Sequence, residues 1–255
     1  MKDMFRLDGK VAVVTGGAGG IGEALALGLG YQGATVVVSS RNQQTIDAVA
    51  EKISTETGSE ALALAADVTD ERSIQSLVDA VVEKYGKIDI LVNAMGMNIK
   101  RDAFDYPLED WDKLFEVNVK GTMAACKVVG RVMRDQHQGA IVNLSSVRGI
   151  RGYTGGNTGY CATTGAVELI TKALALEWAS SGIRVNALGP ALVITPGTKH
   201  IAEDPQLAAK YAAAVPMGRI GMPEDMVGAV VFLCSDAASF VSGQTIYVDG
   251  GLTAA

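Results

Sequence analysis

Short runs of β-branched and apolar residues alternate along this chain with longer segments of helical periodicity. The short runs are continuously apolar, as expected of strands that are covered on both faces. In the longer segments apolar residues recur every three or four positions, for example at Ile74, Leu77 and Val81. This alternation predicts a doubly wound α/β fold, in which a parallel sheet with right-handed crossovers carries helices on both faces. The seven predicted strands cover residues 11–15, 35–39, 61–66, 88–93, 140–144, 183–187 and 245–248.

The chain has the size and composition of one folded domain. Its 255 residues are 48% hydrophobic and 20% charged, which supports a large core and excludes intrinsic disorder. No linker or internal repeat divides residues 1–255, so we predict a single domain. Residues 190–217 interrupt the strand–helix rhythm with Pro190, Pro196 and Pro205. An insertion after the carboxyl end of a strand predicts a lid over a ligand site, with an ordinary surface loop as the alternative.

Charge and cysteine content exclude several classes of protein. The formal net charge of −6 argues against nucleic acid or an anionic membrane as the main partner, because both require clustered lysine and arginine. No apolar stretch approaches the ~20 residues that span a bilayer, and residues 1–10 lack the apolar core of a signal peptide. Three widely separated cysteines and two histidines predict neither a disulfide framework nor a metal site. We therefore expect a protein of the reducing cytoplasm.

A glycine-rich loop joins the first predicted strand to the first predicted helix. It reads TGGAGGIG over residues 15–22 and includes Gly16, Gly20, Ile21 and Gly22. Glycines allow a tight turn and a close backbone approach to a pyrophosphate, which then lies at the positive end of the helix. A glycine-rich turn without a ligand is the alternative. The strand before the loop and the amphipathic helix after it favour dinucleotide binding.

The end of the second predicted strand indicates which dinucleotide is bound. An NAD site places an acidic residue there to accept a hydrogen bond from the ribose 2′-hydroxyl. This chain has Ser40 and Arg41 instead, and a guanidinium can donate two hydrogen bonds to a 2′-phosphate. The prediction is NADP(H) rather than NAD(H), with a solvated arginine at a helix start as the alternative.

These and other motifs resemble the short-chain dehydrogenase/reductase family over essentially the whole chain. The glycine loop matches the family's TGxxxGxG pattern, and NAMG at residues 93–96 stands where the family has NNAG. Residues 186–190 resemble its NxxxPG turn, and residues 247–251 resemble its last strand and turn. The resemblance implies a Rossmann fold and an oxidoreductase that interconverts a secondary alcohol and a ketone with NADP(H).

The resemblance also assigns roles to individual residues. Asn118, Ser146 and Tyr160 match the catalytic asparagine, serine and tyrosine. Asp67 resembles the acidic residue that contacts adenine. The cofactor contacts that the resemblance adds to the glycine loop and to Ser40 and Arg41 are Asp67, Val68, Asn93, Gly96, Val193 and Thr195.

The resemblance further suggests a substrate class and an assembly. Residues 96–100 are similar to sugar-acid and polyol dehydrogenases of the family, which suggests a hydroxylated substrate. Family members are mostly homotetramers joined through helices that correspond to residues 109–134 and 158–180, and the same assembly is expected here. A monomer's own core could also account for the apolar residues of those two segments.

The chemistry of hydride transfer gives Tyr160 and Ser146 a physical role beside the resemblance. Reduction of a carbonyl by a nicotinamide requires a proton at the carbonyl oxygen. The phenol of Tyr160 can supply that proton, and the hydroxyl of Ser146 can hold the oxygen. Each residue has a structural alternative, Tyr160 as an aromatic at a helix start and Ser146 as a turn former at a strand end.

One position departs from the family's YxxxK motif, because Thr164 follows Tyr160 where the family has lysine. Residues four apart share a helix face, so the missing ammonium would have lain beside the phenol. Lys172 lies about 12 Å further along the helix axis and cannot replace it. We expect catalysis to be impaired by ~10²–10⁴-fold while nucleotide binding survives. The chain could then be an impaired enzyme, a non-catalytic NADP(H)-binding homologue or an engineered inactive variant.

Several residues around the predicted substrate pocket also bear on its chemistry. Arg148 and Arg151 could bind a carboxylate, although a solvated loop arginine is the commoner outcome. Met95 and Ala191 replace a small residue and a glycine of the family, and alanine would be strained at 191 if a left-handed conformation were needed there. The pocket is expected to use Met97, Asn98, Arg148, Tyr153 and the lid.

Overall fold

The computed structural model describes residues 3–254, which form one domain around a sheet of seven parallel strands. The order across the sheet is β3-β2-β1-β4-β5-β6-β7, so the winding direction reverses between β1 and β4. The strands are β1 Val11–Thr15, β2 Thr35–Ser39, β3 Ala61–Ala63, β4 Ile90–Asn93, β5 Gly139–Leu144, β6 Ile183–Pro190 and β7 Thr245–Val248. The helices are α1 Gly20–Tyr31, α2 Gln43–Thr57, α3 Glu71–Tyr85, α4 Leu108–Leu114, α5 Gly121–Gln136, α6 Thr158–Trp178, α7 Lys199–Glu203, α8 Pro205–Ala213 and α9 Val227–Cys234. The predicted doubly wound Rossmann architecture is confirmed.

Alternate residues of the central strand β1 face two separate cores. Ala12 and Val14 pack with α1, α2 and α9 on one side of the sheet, whereas Val11 and Val13 pack with α3, α5 and α6 on the other. Val13 and Val14 have no exposed surface. Burial on both faces explains why the strand reads as a continuous apolar run in the sequence.

Four strand boundaries differ from the sequence prediction, and the smallest difference is that β5 begins one residue earlier, at Gly139. The third strand ends at Ala63. Beyond it, the Leu64 amide still donates to the Val38 carbonyl oxygen of β2, and the Ala66 amide donates to the Ser40 carbonyl oxygen just after β2. β4 begins at Ile90, two residues later than predicted. β6 continues to Pro190, since β7 pairs with it as far as that residue.

The loops at the carboxyl edge of the sheet position the functional site. Those that follow β1, β4, β5 and β6 all leave the sheet on this side, as parallel strands require. Residues 190–217, which were predicted to form a lid and are called the lid segment below, start at the end of β6 and contain the 3₁₀ turn Pro196–Thr198 followed by α7 and α8. Within residues 3–254 no helix combines the length and apolar character needed to span a bilayer.

Candidate active site

An open cavity of about 1090 Å³ lies at the carboxyl edge of the sheet. The predicted site residues that line it are Gly20, Ile21, Gly22, Gly96, Asn118, Ser146, Tyr160, Thr164, Val193 and Thr195. The predicted residues that lie outside its lining are Gly16, Ser40, Arg41, Asp67, Val68 and Asn93. Within residues 3–254 no group of three or more His, Cys, Asp or Glu side chains is arranged to hold a metal ion.

Three glycines of the loop are required by close packing. Gly16 has a φ of +70°, which favours glycine, and a Cβ there would lie 2.6 Å from the Met95 backbone nitrogen. A Cβ on Gly22 would collide with the Gly16 carbonyl oxygen, and one on Gly20 would lie 2.6 Å from Thr195 Cβ. Because these residues lack side chains, the start of α1 stays open to the cavity. The cradle fits a dinucleotide pyrophosphate.

The adenosine half of a dinucleotide would meet the ends of β2 and β3. Hydrogen bonds from the Thr69 amide and hydroxyl to Asp67 Oδ1, at 2.9 and 2.8 Å, lower the pKa of that carboxyl. The nearby positive charge of Arg41, an exposed side chain, lowers it further. Val68 contacts the start of α5, where a Cβ on Gly121 would lie 3.0 Å from Val68 Cγ2. Ser40 precedes Arg41 and is partly buried.

Asn93 lies in the core rather than on the cavity wall. Its side chain is 1% exposed, accepts a hydrogen bond from Thr15 Oγ1 at 2.9 Å and donates one to Asn143 Oδ1 at 2.9 Å. Asn143 in turn donates to Thr171 Oγ1 of α6 at 3.0 Å. The four side chains form a buried polar chain across β1, β4, β5 and α6. The Asn93 side chain therefore joins secondary-structure elements, and the cofactor contact that the resemblance implies for this residue stays a prediction.

Asn118 holds the loop that follows β4. It lies in the π-helical turn Phe115–Lys120 between α4 and α5, and π-turns are frequent at functional sites. Its Nδ2 donates to the Met97 carbonyl oxygen and its Oδ1 accepts from the Met97 amide, each at 2.9 Å. Nδ2 also donates to Thr163 Oγ1 at 3.1 Å. Asn118 thus positions the backbone of the cavity wall against α6.

Tyr160 and Ser146 reach the cavity from neighbouring elements. Tyr160 lies in the first turn of α6, and Ser146 follows β5 and donates a hydrogen bond of 3.3 Å to the Pro190 carbonyl oxygen. Burial raises the pKa of the Tyr160 phenol, whereas the Ser146 hydroxyl and the positive charge of Arg148 act to lower it. Because burial is the larger effect, the phenol is protonated at neutral pH and can donate to an oxygen in the cavity.

Thr164 lies one turn after Tyr160 on the same helix. Its side chain is 3% exposed, and its Oγ1 donates to the backbone carbonyl oxygens of Tyr160 at 2.8 Å and Cys161 at 3.2 Å. The hydroxyl is therefore used within the helix and brings no charge to the phenol. Lys172 is exposed two turns further on and does not line the cavity, in agreement with the prediction that it cannot replace the missing lysine.

A buried carboxylate behind the cavity is absent from the sequence prediction. Glu168 of α6 is 5% exposed and accepts hydrogen bonds from Ser145 Oγ at 2.9 Å and Tyr247 Oη at 2.8 Å. Burial first, and then Glu168, raises the pKa of Tyr247, so its hydroxyl remains a donor. Glu168 thereby joins the end of β5 and the strand β7 to α6. The available signal was a single acidic residue on an otherwise uncharged buried helix face.

The two other departures from the family pattern have ordinary local geometry. Among residues 3–254 the one non-glycine residue with a positive φ is His137, at 54°. The condition for strain at Ala191 is therefore not met, since its backbone is not left-handed. Met95 lines the cavity, and its Sδ lies 3.2 Å from Thr15 Oγ1.

The two arginines after β5 have different environments. Arg148 lines the cavity, and its guanidinium carbon lies 3.2 Å from the centroid of the Tyr153 ring. Arg151 lies outside the lining and donates a hydrogen bond to the Leu252 carbonyl oxygen. Only Arg148 is therefore placed to meet a ligand in the cavity. The lid segment adds His200, Ile201, Leu207 and Tyr211 to the same lining.

Comparison with known proteins agrees with this geometry. Residues 16–253 match the family model described as enoyl-(acyl carrier protein) reductase. The chain belongs to the short-chain dehydrogenase/reductase family. It is thus related to NAD(P)-dependent oxidoreductases that act on CH–OH and C=O groups.

Relatives within the family cover nearly the whole chain. D-threitol dehydrogenase of Mycolicibacterium smegmatis is 38% identical over 249 residues, which are 98% of this chain and 95% of that protein. Gluconate 5-dehydrogenase of Gluconobacter oxydans is 38% identical over 251 residues, covering 98% of this chain and 97% of the relative. A crystal structure of a gluconate 5-dehydrogenase from Burkholderia cenocepacia, in complex with NADP and tartrate, superposes with a TM-score of 0.94 at 35% identity. That match covers 99% of this chain and 98% of the crystallised one.

Proposed function

We propose that this protein is an NADP(H)-dependent oxidoreductase that interconverts a secondary alcohol and a ketone. The observation that carries the proposal is one cavity in which Tyr160 and Ser146 share a surface with the glycine cradle at Gly20 and Gly22. A bound nicotinamide would donate or accept the hydride in that cavity. The side chains present supply the remaining requirement, which is transfer of a proton to or from the substrate oxygen.

The proton steps follow from the positions of the two hydroxyls. In reduction, the Tyr160 phenol donates its proton to the carbonyl oxygen as the hydride reaches the carbonyl carbon, and a phenolate remains. In oxidation, the phenolate accepts the alcohol proton while the hydride leaves the same carbon. Ser146 donates a hydrogen bond to the substrate oxygen in exchange for its bond to Pro190. Asn118 keeps the Met97 backbone in place beside them.

Thr164 favours a second candidate, a protein that binds NADP(H) without turnover. Ionising a phenol at neutral pH requires about 4 kcal/mol even before burial raises its pKa. Thr164 brings no ammonium to the position one helical turn after Tyr160, so we expect turnover to be reduced by ~10²–10⁴-fold. A sensitive NADPH oxidation assay on a panel of ketoses and keto acids separates an impaired enzyme from a non-catalytic binder.

The choice of NADP(H) rests on the end of β2. Arg41 is exposed there beside the ionised Asp67, and Ser40 adds a hydroxyl. Arg41→Ala should weaken NADPH binding by about tenfold or more while leaving NADH binding nearly unchanged, because only NADPH carries the 2′-phosphate. Arg72→Ala, which removes an arginine from α3, is the matched control. Fluorescence titration measures both affinities, and tighter binding of NADH by the native protein would contradict the assignment.

We also propose a polyhydroxylated substrate, either a polyol or a sugar acid. Support comes from the D-threitol and gluconate dehydrogenases among the relatives and from Arg148 in the cavity. A thermal-shift screen with NADP⁺ present should show stabilisation by polyols or sugar acids. Failure of every compound in both classes would argue against this substrate class. Assembly as a homotetramer and a cytoplasmic location stay predictions from the resemblance and the composition.

A further inference from the structure

Arg148 is a partly buried cation that has no acidic partner among residues 3–254. The arginines that form ion pairs within residues 3–254 are Arg6, Arg101, Arg134 and Arg219. Arg148 instead places its guanidinium over the ring of Tyr153, and its backbone amide donates to Ser146 Oγ at 3.2 Å. It is therefore anchored directly beside the reaction centre, on the turn that carries Ser146.

The charged groups around the cavity leave the guanidinium uncompensated. No aspartate or glutamate belongs to the described lining of the cavity. The titratable and cationic side chains in that lining, besides Tyr160, are Lys100, Arg101, Arg148, Tyr153, His200 and Tyr211. Cys161 is the neighbour on α6 that acts on the phenol, and it opposes ionisation. Glu168 lies behind the wall, hydrogen-bonded to Ser145 and Tyr247.

Arg148 is the remaining candidate for stabilising a negative charge on Tyr160 once the other cavity side chains that can carry a positive charge are considered. Arg101 forms an ion pair with Asp110 at 2.8 Å, and Lys100 and His200 are exposed. Arg148 lines the same cavity as Tyr160 and is joined through its backbone amide to Ser146 Oγ, and its positive charge acts to lower the pKa of Tyr160. A guanidinium remains charged at every working pH, and stacking on Tyr153 limits its motion.

We propose that Arg148 supplies, from the turn that follows β5, the positive charge that the lysine of the family motif would have supplied from residue 164. The proposal rests on the proposed function, because it assigns Arg148 a task in the proton transfer of Tyr160. Arg148 favours the phenolate left after proton donation and so retains part of the activity that Thr164 removes. It does not touch the transferred proton and acts through the phenol.

The first test measures the phenol without cofactor or turnover. Global labelling with a fluorinated tyrosine, whose phenol ionises nearer neutral pH, gives a ¹⁹F signal that Tyr160→Phe assigns among the seven tyrosines. Arg148→Met should raise the pKa of Tyr160 by about 1 unit, as expected for loss of a nearby opposite charge. Arg148→Lys should restore most of the shift, and Arg151→Met should cause none. An unchanged Tyr160 titration in Arg148→Met would overturn the proposal.

The second test asks whether Arg148 and a lysine at residue 164 do the same work. In the native background, Arg148→Met should lower kcat for alcohol oxidation about tenfold at pH 7 and move the rising limb of the pH profile about 1 unit higher. In the Thr164→Lys background the same substitution should change kcat less than threefold. If Arg148→Met instead raises KM by the same factor in both backgrounds, then Arg148 binds the substrate's anionic group. That result would overturn its proposed action on the phenol.

The two tests also separate this proposal from the proposed function. If no variant binds NADPH or turns over, the proposed function fails while the ¹⁹F titration still decides whether Arg148 acts on Tyr160. If Thr164→Lys gains activity but Arg148→Met leaves the phenol and kcat unchanged, the proposed function holds and Arg148 has no electrostatic role. Circular dichroism and melting curves of each variant confirm that folding is preserved.

Discussion

Restoring a lysine at residue 164 is the strongest perturbation of the catalytic centre that the structure offers. Thr164 lines the cavity one helical turn from Tyr160, so a lysine there can direct its ammonium toward the phenol. At about 4 Å and an effective dielectric constant of about 20, one cation stabilises a phenolate by about 4 kcal/mol. At 1.36 kcal/mol per unit this lowers the pKa of Tyr160 by about 3 units.

A shift of that size predicts the behaviour of Thr164→Lys. Below the phenol's pKa the phenolate fraction rises tenfold per pH unit, so kcat for alcohol oxidation at pH 7 should increase by ~10²–10³-fold. The rising limb of the pH profile should move toward lower pH by about the same 3 units. Thr164→Met is the matched control, because it has similar length without charge and loses the same hydroxyl bonds to Tyr160 and Cys161.

The assay is NADP⁺ reduction followed at several pH values with the best substrate from the thermal screen. NADPH affinity and the melting temperature are measured in parallel, so that a change in cofactor binding or folding is not taken for a change in chemistry. Equal kcat values for Thr164→Lys and Thr164→Met would refute the electrostatic account. Rapid turnover by the native protein, unaltered by the lysine, would refute it as well.

Two further predictions concern stability. Glu168→Leu should destabilise the fold by about 2–5 kcal/mol in urea unfolding, because it removes the carboxylate that accepts hydrogen bonds from the buried Ser145 hydroxyl and the partly buried Tyr247 hydroxyl; Glu168→Gln should cost clearly less, and equal losses would contradict this reason. The Arg219 side chain and the Met222 amide lower the pKa of Asp225 to about 2. Because this pKa is lower than in the unfolded chain, the carboxylate stabilises the native state above pH 4. That contribution is lost as the pH falls toward 2. Asp225→Asn should therefore lower the melting temperature at pH 6, with a difference from the native protein that narrows between pH 4 and pH 2; a constant difference would exclude the linkage.

The architecture and the cofactor cradle could be predicted because both depend on local patterns. A strand buried on both faces reads as a continuous apolar run, and a loop that approaches phosphate needs glycine at fixed positions such as Gly16 and Gly22. The direction of a side chain at a strand end is less accessible to sequence reasoning. Asn93 belongs to a matched motif, yet its amide points into the core. Arg148 and Arg151 have the same chemistry and only one enters the cavity.

Residues that act through tertiary contacts were beyond the reach of motif matching. Glu168 is one of two acidic residues in a helix of 21 residues, and its role depends on contacts with the residue that follows β5 and with β7. The absence of strain at Ala191 likewise depends on the backbone path after β6, which the sequence alone does not specify. Tyr160 and Thr164 were accessible because helical spacing places them together whatever the surroundings.

The polar chain formed by Thr15, Asn93, Asn143 and Thr171 affects how strictly the register of the central strands is specified. Apolar strand residues tolerate a slip past their neighbours, since one valine packs much like the next. A slip of β4 by a single residue would bury amide and hydroxyl groups with no acceptor or donor opposite them, at about 1–3 kcal/mol for each group. The hydrogen bonds among these four side chains therefore specify one register of the central strands. The glycine cradle follows β1, Ser146 follows β5 and Tyr160 lies in α6. The distance between the cradle and the Tyr160–Ser146 pair is therefore set by that register.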